Sequence, residues 1–323
     1  MRIAVMGAGA VGGYFGARLA AASGAASEAA GGAAEGTGTG AEVHFLARGR
    51  HLEAIRANGL RIDSAAGPLH LASVQATDDP AAIGPVDVVL FAVKLWDTEA
   101  AADACRPLLK PGTLVISLQN GVTGIDTLCR RLGEEHVAGG VAHIAATLAE
   151  PGVIRHTGTL ARLTYGELDG RTSHRIAAFH ALAARAGFEA VLSDAILQAV
   201  WEKFAFLAPF SGVTSLTRQP AGVIRRVPET RALFLDAVAE VARLARARDV
   251  DLGSGIVPRV EALLARLVPE MKSSMLNDLE RGGRLELPWL SGAVVRLAAE
   301  AGVPTPVHRV IAAALAPYAD GPP

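Results

Sequence analysis

Apolar residues form short, nearly unbroken runs in the first half of the chain and recur at helical spacing in the second. Residues 2–6 (RIAVM) and 43–48 (VHFLAR) read as strands, and 86–94 (VDVVLFAVK) and 112–121 (GTLVISLQNG) have the continuous apolar character of parallel strands buried on both faces. Between them the pattern predicts helices: GAGAVGGYFGARLA opens from a glycine turn, HLEAIRANGL ends at Gly59, and TEAAADACRPLL precedes the 112–121 strand. Strands alternating with helices imply βαβ units and a parallel sheet. Residues 152–167 read as shorter strands joined by a Thr-Gly turn, followed by a helix over 172–186 and a strand-like FEAVLS. From Asp194 the pattern is helical nearly throughout, over 194–216, 229–248, 255–267, 287–301 and 305–316. This change of period predicts a sheet-containing domain over 1–193 and an all-α domain over 194–323.

Length and composition agree with two domains, because 323 residues with half of them hydrophobic can bury two cores. Thirty-one basic residues balance 32 acidic ones, so no global field points to nucleic acid or to a membrane surface. Aromatic residues, at 5%, are too few for nucleic-acid stacking platforms. Cys105 and Cys129 stand outside any CxxC spacing, and the nine histidines show no HExxH pattern, so neither a disulfide framework nor a metal site is expected. The N-terminal stretch resembles a signal peptide only superficially, since glycines at 7, 9, 12 and 13 and Arg18 interrupt it. The chain is read as soluble and cytoplasmic. Residues 21–42, almost wholly Ala, Gly, Ser, Thr and Glu, are expected to form an exposed, mobile loop insertion.

Gly7-Ala8-Gly9-Ala10-Val11-Gly12 fits GxGxxG between a strand and a helix. In that setting the first glycine makes the turn, the second lets backbone approach a pyrophosphate, and the third lets helix and strand pack closely. The context predicts a dinucleotide-binding Rossmann domain. An NAD site usually carries an acid at the tip of the second strand, but here the tip holds Ala47 and Arg48, with Arg50 nearby. A guanidinium suits a 2′-phosphate, which favours NADPH, unless Arg48 is only a solvated loop residue.

Two later strands end in polar residues, Lys94 and the pair Gln119-Asn120, at the side of the sheet where such folds bind ligands. Lys94 could place a charge near the cofactor or a substrate carboxylate, or face water alone; Asn120 could offer a ligand both a donor and an acceptor, or stabilise the turn before Gly121. Lys203 is the odd residue in AVWEKFAFLAPFSGVTSLT, an apolar run over 199–217. Its stem could lie on an apolar face with the ammonium reaching water, or its proton could serve in chemistry.

The ordered set GAGAVGGYFGARLA, FLARG, VKLWDTEAA, LQNGV, WEKF, SSMLNDL and RLELPWLSG resembles the ketopantoate reductases (2-dehydropantoate 2-reductases) essentially end to end. The resemblance implies an α/β N-terminal Rossmann domain with a parallel sheet, an all-α C-terminal domain, and NADPH-dependent reduction of 2-dehydropantoate to pantoate in the pantothenate and coenzyme A pathway. It implies Lys203 as the catalytic acid. It places Gly7, Ala8, Gly9, Ala10, Val11, Gly12 and Arg48 on the NADPH phosphates, Lys94 and Asn120 near nicotinamide and substrate, and Ile144 on the cofactor through its backbone. Ser274 would contact substrate, and Glu286 would reach the cofactor from the second domain. Partners then reduce to a small 2-oxo acid and, at most, a second copy in a homodimer.

The family's asparagines that bind substrate are replaced here by Leu207, Ser211 and Ala221, while Thr214 is retained. Lys203, Leu207 and Ser211 share one helical face, so the departure lies on the wall where substrate is expected. A different, less polar 2-oxo acid is therefore the alternative substrate, and an NADPH-binding regulatory protein without turnover is the alternative from another class. Lys203, Asn120 and Glu286 speak against the latter, since a sensor needs only the Rossmann half. Pro209 is expected to bend the helix.

Overall fold

Strands that are apolar at every position must be covered on both faces, and the central strands of this sheet are. The computed structural model describes residues 1–29 and 41–322. Among them ten strands form one sheet: β1 (Arg2–Met6), β2 (Glu42–Leu46), β3 (Leu60–Ser64), β4 (Leu69–Leu71), β5 (Gln75–Thr77), β6 (Val88–Phe91), β7 (Leu114–Ser117), β8 (Val137–Glu150), β9 (Val153–Glu167) and β10 (Glu189–Leu192). The order is β4-β3-β9-β8-β7-β6-β1-β2-β5, with β10 also paired to β9. From β5 to β8 every pairing is parallel. β6 and β7 are buried at all four positions, and Ile3, Val5, Phe15, Phe45, Leu90 and Ile116 belong to the core.

The chain divides into two compact units, Met1–Asn120 with Gly124–Ile196, and Gly121–Thr123 with Leu197–Pro323. The first contains the sheet with helices α1 (Ala10–Ala29), α2 (Gly49–Asn58) and α3 (Thr98–Ala104), most of α4 (Thr123–Leu132), and α5 (His174–Ala183). β1 pairs with β2 on one side and β6 on the other, so the direction of sheet growth reverses there. Open α/β sheets bind their ligands beyond the carboxyl ends of strands at such a reversal. The second unit is helical: α6 (Ile196–Thr217, its first residue in the sheet unit), α7 (Ala221–Arg226), α8 (Pro228–Ala247), α9 (Ile256–Arg266), α10 (Ser274–Glu280), α11 (Ser291–Glu300) and α12 (Pro306–Leu315). No helix among the described residues is long and apolar enough to cross a membrane.

Three expectations need correction. The loop expected from residue 21 begins as helix, because α1 runs on to Ala29; alanine has the highest helix propensity, and the segment is rich in it. Residues 30–40 of that segment lie outside the described residues. The short strands expected over 152–167 are one 15-residue strand, β9. The expected break at the Thr-Gly pair is nevertheless present in the pairing: residues 157–160 stand opposite Ala145 alone, with Gly158 at φ +75°, so β9 pairs with β8 in two stretches on either side of it. The helix expected over 287–301 is a 3₁₀ turn, Leu287–Trp289, followed by α11, with Leu290 off helical geometry between them. α6 runs through Pro209 without interruption.

In the helical unit, two buried polar side chains tie α12 to its neighbours α8 and α11. Glu240 on α8, 1% exposed, accepts the N–H groups of Val307 at 2.8 Å and His308 at 3.0 Å, satisfying the first turn of α12 from outside that helix. His308 is wholly buried, with Nε2 3.2 Å from the carbonyl oxygen of Ala237 and Nδ1 3.1 Å from Ser291 Oγ. The carbonyl can only accept, so Nε2 carries the proton and Ser291 donates to Nδ1. Burial lowers the His308 pKa from 6.5 to about 4. The neutral ring is thus the folded form, and its contribution is complete above pH 6.5 and lost as pH falls toward 4, about 3 kcal/mol in all by linkage. Thermal midpoints measured from pH 7 to pH 4.5 are expected to fall more steeply in the native protein than in His308→Gln.

Candidate active site

In the sheet unit the glycine loop follows β1. Gly7 has φ +96°, and a Cβ there would stand 2.9 Å from the Val93 amide nitrogen, so the loop abuts the segment leaving β6. A Cβ on Gly12 would stand 2.3 Å from the Gly7 carbonyl oxygen and 2.9 Å from Ala92 Cβ, so α1 closes on the loop only because that position lacks one. Gly9 is different: its Cβ would meet nothing within 4 Å. Packing explains the first and third glycines but not the second, which leaves open space in front of the backbone at the start of α1. That is the cradle a pyrophosphate requires, and the loop residues fit a dinucleotide.

At the end of β2, Arg48 is extended (φ −134°, ψ 157°) and precedes α2 without capping it. Arg48 and Arg50 are exposed and form no ion pair with a described residue, so their charge is available to an anion. Lys94, exposed, precedes a 3₁₀ turn (Leu95–Asp97), with Nζ 5.5 Å from the centre of the Trp96 ring. Asn120 is half-buried beyond β7. Ile144 is removed from these tips: it lies within β8, opposite Ala161, beside the register shift.

Sequence reasoning gave no role to Gln119, yet its side chain joins the ends of two neighbouring strands. Its amide donates to the Val93 carbonyl at 3.1 Å and to Thr98 Oγ1 at 2.8 Å, while the Thr98 hydroxyl donates to Leu95 O at 2.7 Å. The β7 tip bearing Asn120 is therefore tied to the β6 tip bearing Lys94. A second polar residue immediately before Asn120 was the available signal.

In the helical unit, Lys203 and Leu207 stand one turn apart on α6 and are half-buried. Desolvation lowers the Lys203 pKa from 10.5 to about 8, against the opposing charge of Glu286. Glu286 is 6% exposed and sits before the 3₁₀ turn Leu287–Trp289. Residual exposure of the whole lysine is compatible with this shift, because the apolar surroundings act on its ammonium end. The pair can hold a proton at an energy suited to its release near neutral pH.

Further along α6 the expected substrate face is sealed. Ser211 is wholly buried, with its hydroxyl unpaired among the described residues, and Ala221 is wholly buried on α7. Ser274 is exposed at the first position of α10. Its neighbour Ser273 caps that helix, accepting from Leu276 N at 3.0 Å, and lies 2.8 Å from Thr214 Oγ1. Thr214 in turn donates to Phe210 O at 2.6 Å, so a continuous hydroxyl chain ties the start of α10 to α6. Among the described residues no group of three or more His, Cys, Asp or Glu could hold a metal ion.

Comparison with known proteins adds to this geometry. Residues 3–170 match the family described as ketopantoate reductase PanE/ApbA, and residues 195–319 match its C-terminal domain. A 2-dehydropantoate 2-reductase of Mesorhizobium japonicum is 32% identical, the match covering 95% of this chain and 94% of that protein. The crystal structure of a PanE/ApbA family ketopantoate reductase from Ralstonia eutropha JMP134 is 35% identical, with TM-score 0.85 over 99% of this chain and 98% of that one. D-mandelate dehydrogenase, solved with NADH and anilino(oxo)acetate, superposes with TM-score 0.84 over 99% of this chain and 98% of its own, at 21% identity, a likeness of fold.

Proposed function

Because the chain belongs to the ketopantoate reductase family, we propose that it is an NADPH-dependent reductase of 2-dehydropantoate, forming pantoate in the cytoplasmic supply of coenzyme A precursors. The observation that carries this reading is Lys203, an ammonium with a pKa of about 8 beside the buried carboxylate of Glu286. When bound, the dinucleotide supplies the hydride that reduces the ketone carbon. The protein's part is electrostatic and protonic. Lys203 stabilises the negative charge that develops on the ketone oxygen and then donates its proton there, giving the alcohol. Glu286 keeps the lysine charged until that moment. Gly7, Ala8, Gly9, Ala10, Val11 and Gly12 would hold the diphosphate, and exposed Arg48 would meet a 2′-phosphate. Asn120 and Lys94, fixed by Gln119, would orient nicotinamide and carboxylate, with Ile144 contributing backbone and Ser274 a hydroxyl to substrate.

One observation favours a second reading of the substrate. Of the three positions that depart from the family's asparagines, only Leu207 keeps any exposure, and it stands one turn from Lys203. An apolar side chain there cannot pair with a substrate hydroxyl, and a site lacking that bond discriminates weakly in favour of a hydroxylated substrate. Steady-state oxidation of NADPH with 2-dehydropantoate, 2-oxoisovalerate and benzoylformate tests both readings. The first expects kcat/KM for 2-dehydropantoate to exceed that for 2-oxoisovalerate, which lacks its hydroxymethyl group, by about a hundredfold. Reversal of that order assigns the less polar oxo acids. Absence of turnover with every acid, alongside tight NADPH binding, returns the protein to a regulatory role.

A further inference from the structure

Ala8 lies between the first two glycines of the loop, and both of its backbone polar groups are held. Its N–H donates to Leu46 O at the end of β2, at 2.9 Å. Its carbonyl oxygen is 2.7 Å from Nε2 of His51, on the first turn of α2. The other ring nitrogen, Nδ1, accepts the N–H of Gly152 at 3.0 Å, in the turn between β8 and β9. A backbone N–H can only donate, so Nδ1 carries no proton, and Nε2 is the nitrogen that donates to Ala8. The histidine thus bridges three segments far apart in sequence, with its tautomer set by the one partner that has no choice.

This fixes the peptide that follows. The Ala8–Gly9 peptide is trans, so its C=O and N–H point in opposite directions. With the carbonyl turned to His51, the Gly9 N–H is turned away from α2, and it makes no hydrogen bond with a described residue. The same residue is the one whose missing Cβ leaves open space. We propose that His51 is a positioning residue of the dinucleotide site: by holding the Ala8 carbonyl it aims the Gly9 N–H at the diphosphate. The inference rests on reading this loop as a dinucleotide cradle.

Two substitutions separate the two bonds of the ring. His51→Asn retains an acceptor near Nδ1 for Gly152 but is too short to reach Ala8, whereas His51→Gln places an amide N–H near Nε2. Binding of NADPH and of 2′-AMP, which carries the 2′-phosphate but no diphosphate, is measured by quenching of tryptophan fluorescence. His51→Asn is expected to raise the NADPH Kd about tenfold, as for loss of one hydrogen bond to a charged group, and to leave the 2′-AMP Kd unchanged. His51→Gln is expected to bind NADPH like the native protein, whatever becomes of the Gly152 contact. An unchanged NADPH Kd in folded His51→Asn overturns the inference, and so does an equal loss for NADPH and 2′-AMP, which would make His51 a support for α2 alone. If His51→Asn does not fold, a weakened NADPH Kd in His51→Gln overturns it instead. Failure of the native protein to bind NADPH or NADH overturns the dinucleotide reading itself, which the variants do not touch.

Discussion

Lys203→Ala is expected to lower kcat for 2-oxo acid reduction by about a thousandfold, the middle of the range for removing a positioned proton donor. The dinucleotide Kd should not change, since none of the contacts proposed for the cofactor is made by Lys203. Lys203→Arg should be nearly as slow, because a guanidinium can stabilise negative charge but does not release a proton at working pH. Single-turnover rates with NADPH in excess provide the test, and a loss smaller than tenfold in Lys203→Ala would remove the lysine from the proton-transfer step.

The pH dependence follows from the same group. In the proposed mechanism reduction requires the ammonium, so kcat/KM should be flat below pH 8 and fall tenfold per unit above it, the limb reporting the Lys203 pKa of about 8. The two causes of that value oppose one another: burial disfavours the charge, and Glu286 favours it. In Glu286→Gln the opposing charge is gone and desolvation acts alone, so the limb should move to lower pH. A limb that stayed in place would mean that Glu286 serves only to bind cofactor.

How much of this was legible in the sequence depended on whether a local pattern decided the structure. β6 and β7 were readable because a strand buried on both faces is apolar at every position. α8 and α9 were readable because one apolar face repeats along them, and α6 because its apolar run is too long for a strand. β8 escaped notice because VAGGVAHIAATLAE is built from small residues with two adjacent glycines, which favour no strand locally. It is a strand because β7 and β9 pair with both of its edges. α10, at seven residues, is too short to show a period. At the site, Lys203 announced itself as a charge in an apolar run, and the glycine loop by its spacing. Gln119 was marked only by its polarity beside Asn120, and His51 by nothing local. Their roles rest on bonds to carbonyls 26 and 43 residues away in sequence, which only the folded sheet brings within reach.

Gly9→Ala and Gly12→Ala should separate the two reasons a glycine can stand in this loop. A Cβ on Gly12 lands 2.3 Å from the Gly7 carbonyl oxygen, a backbone atom that cannot rotate away, so loop or helix must shift. Gly12→Ala is therefore expected to destabilise the protein without ligand by about 1–3 kcal/mol, the usual cost of overpacking, and to weaken NADPH as a consequence. A Cβ on Gly9 meets no protein atom within 4 Å, and no positive φ penalises it. Gly9→Ala should leave the thermal midpoint of the free protein unchanged or slightly raised, since alanine restricts the unfolded chain more than glycine does. Its methyl group would instead occupy the space where the diphosphate must approach the backbone. The expected result is a loss of NADPH affinity of about a hundredfold, as when a ligand is displaced from a cradle of backbone donors and several charge-assisted bonds fail together. At residue 9, affinity lost without stability would mark a position kept open for a ligand. If Gly9→Ala bound NADPH like the native protein, the open space at residue 9 would belong to solvent, and the diphosphate would have to be held elsewhere.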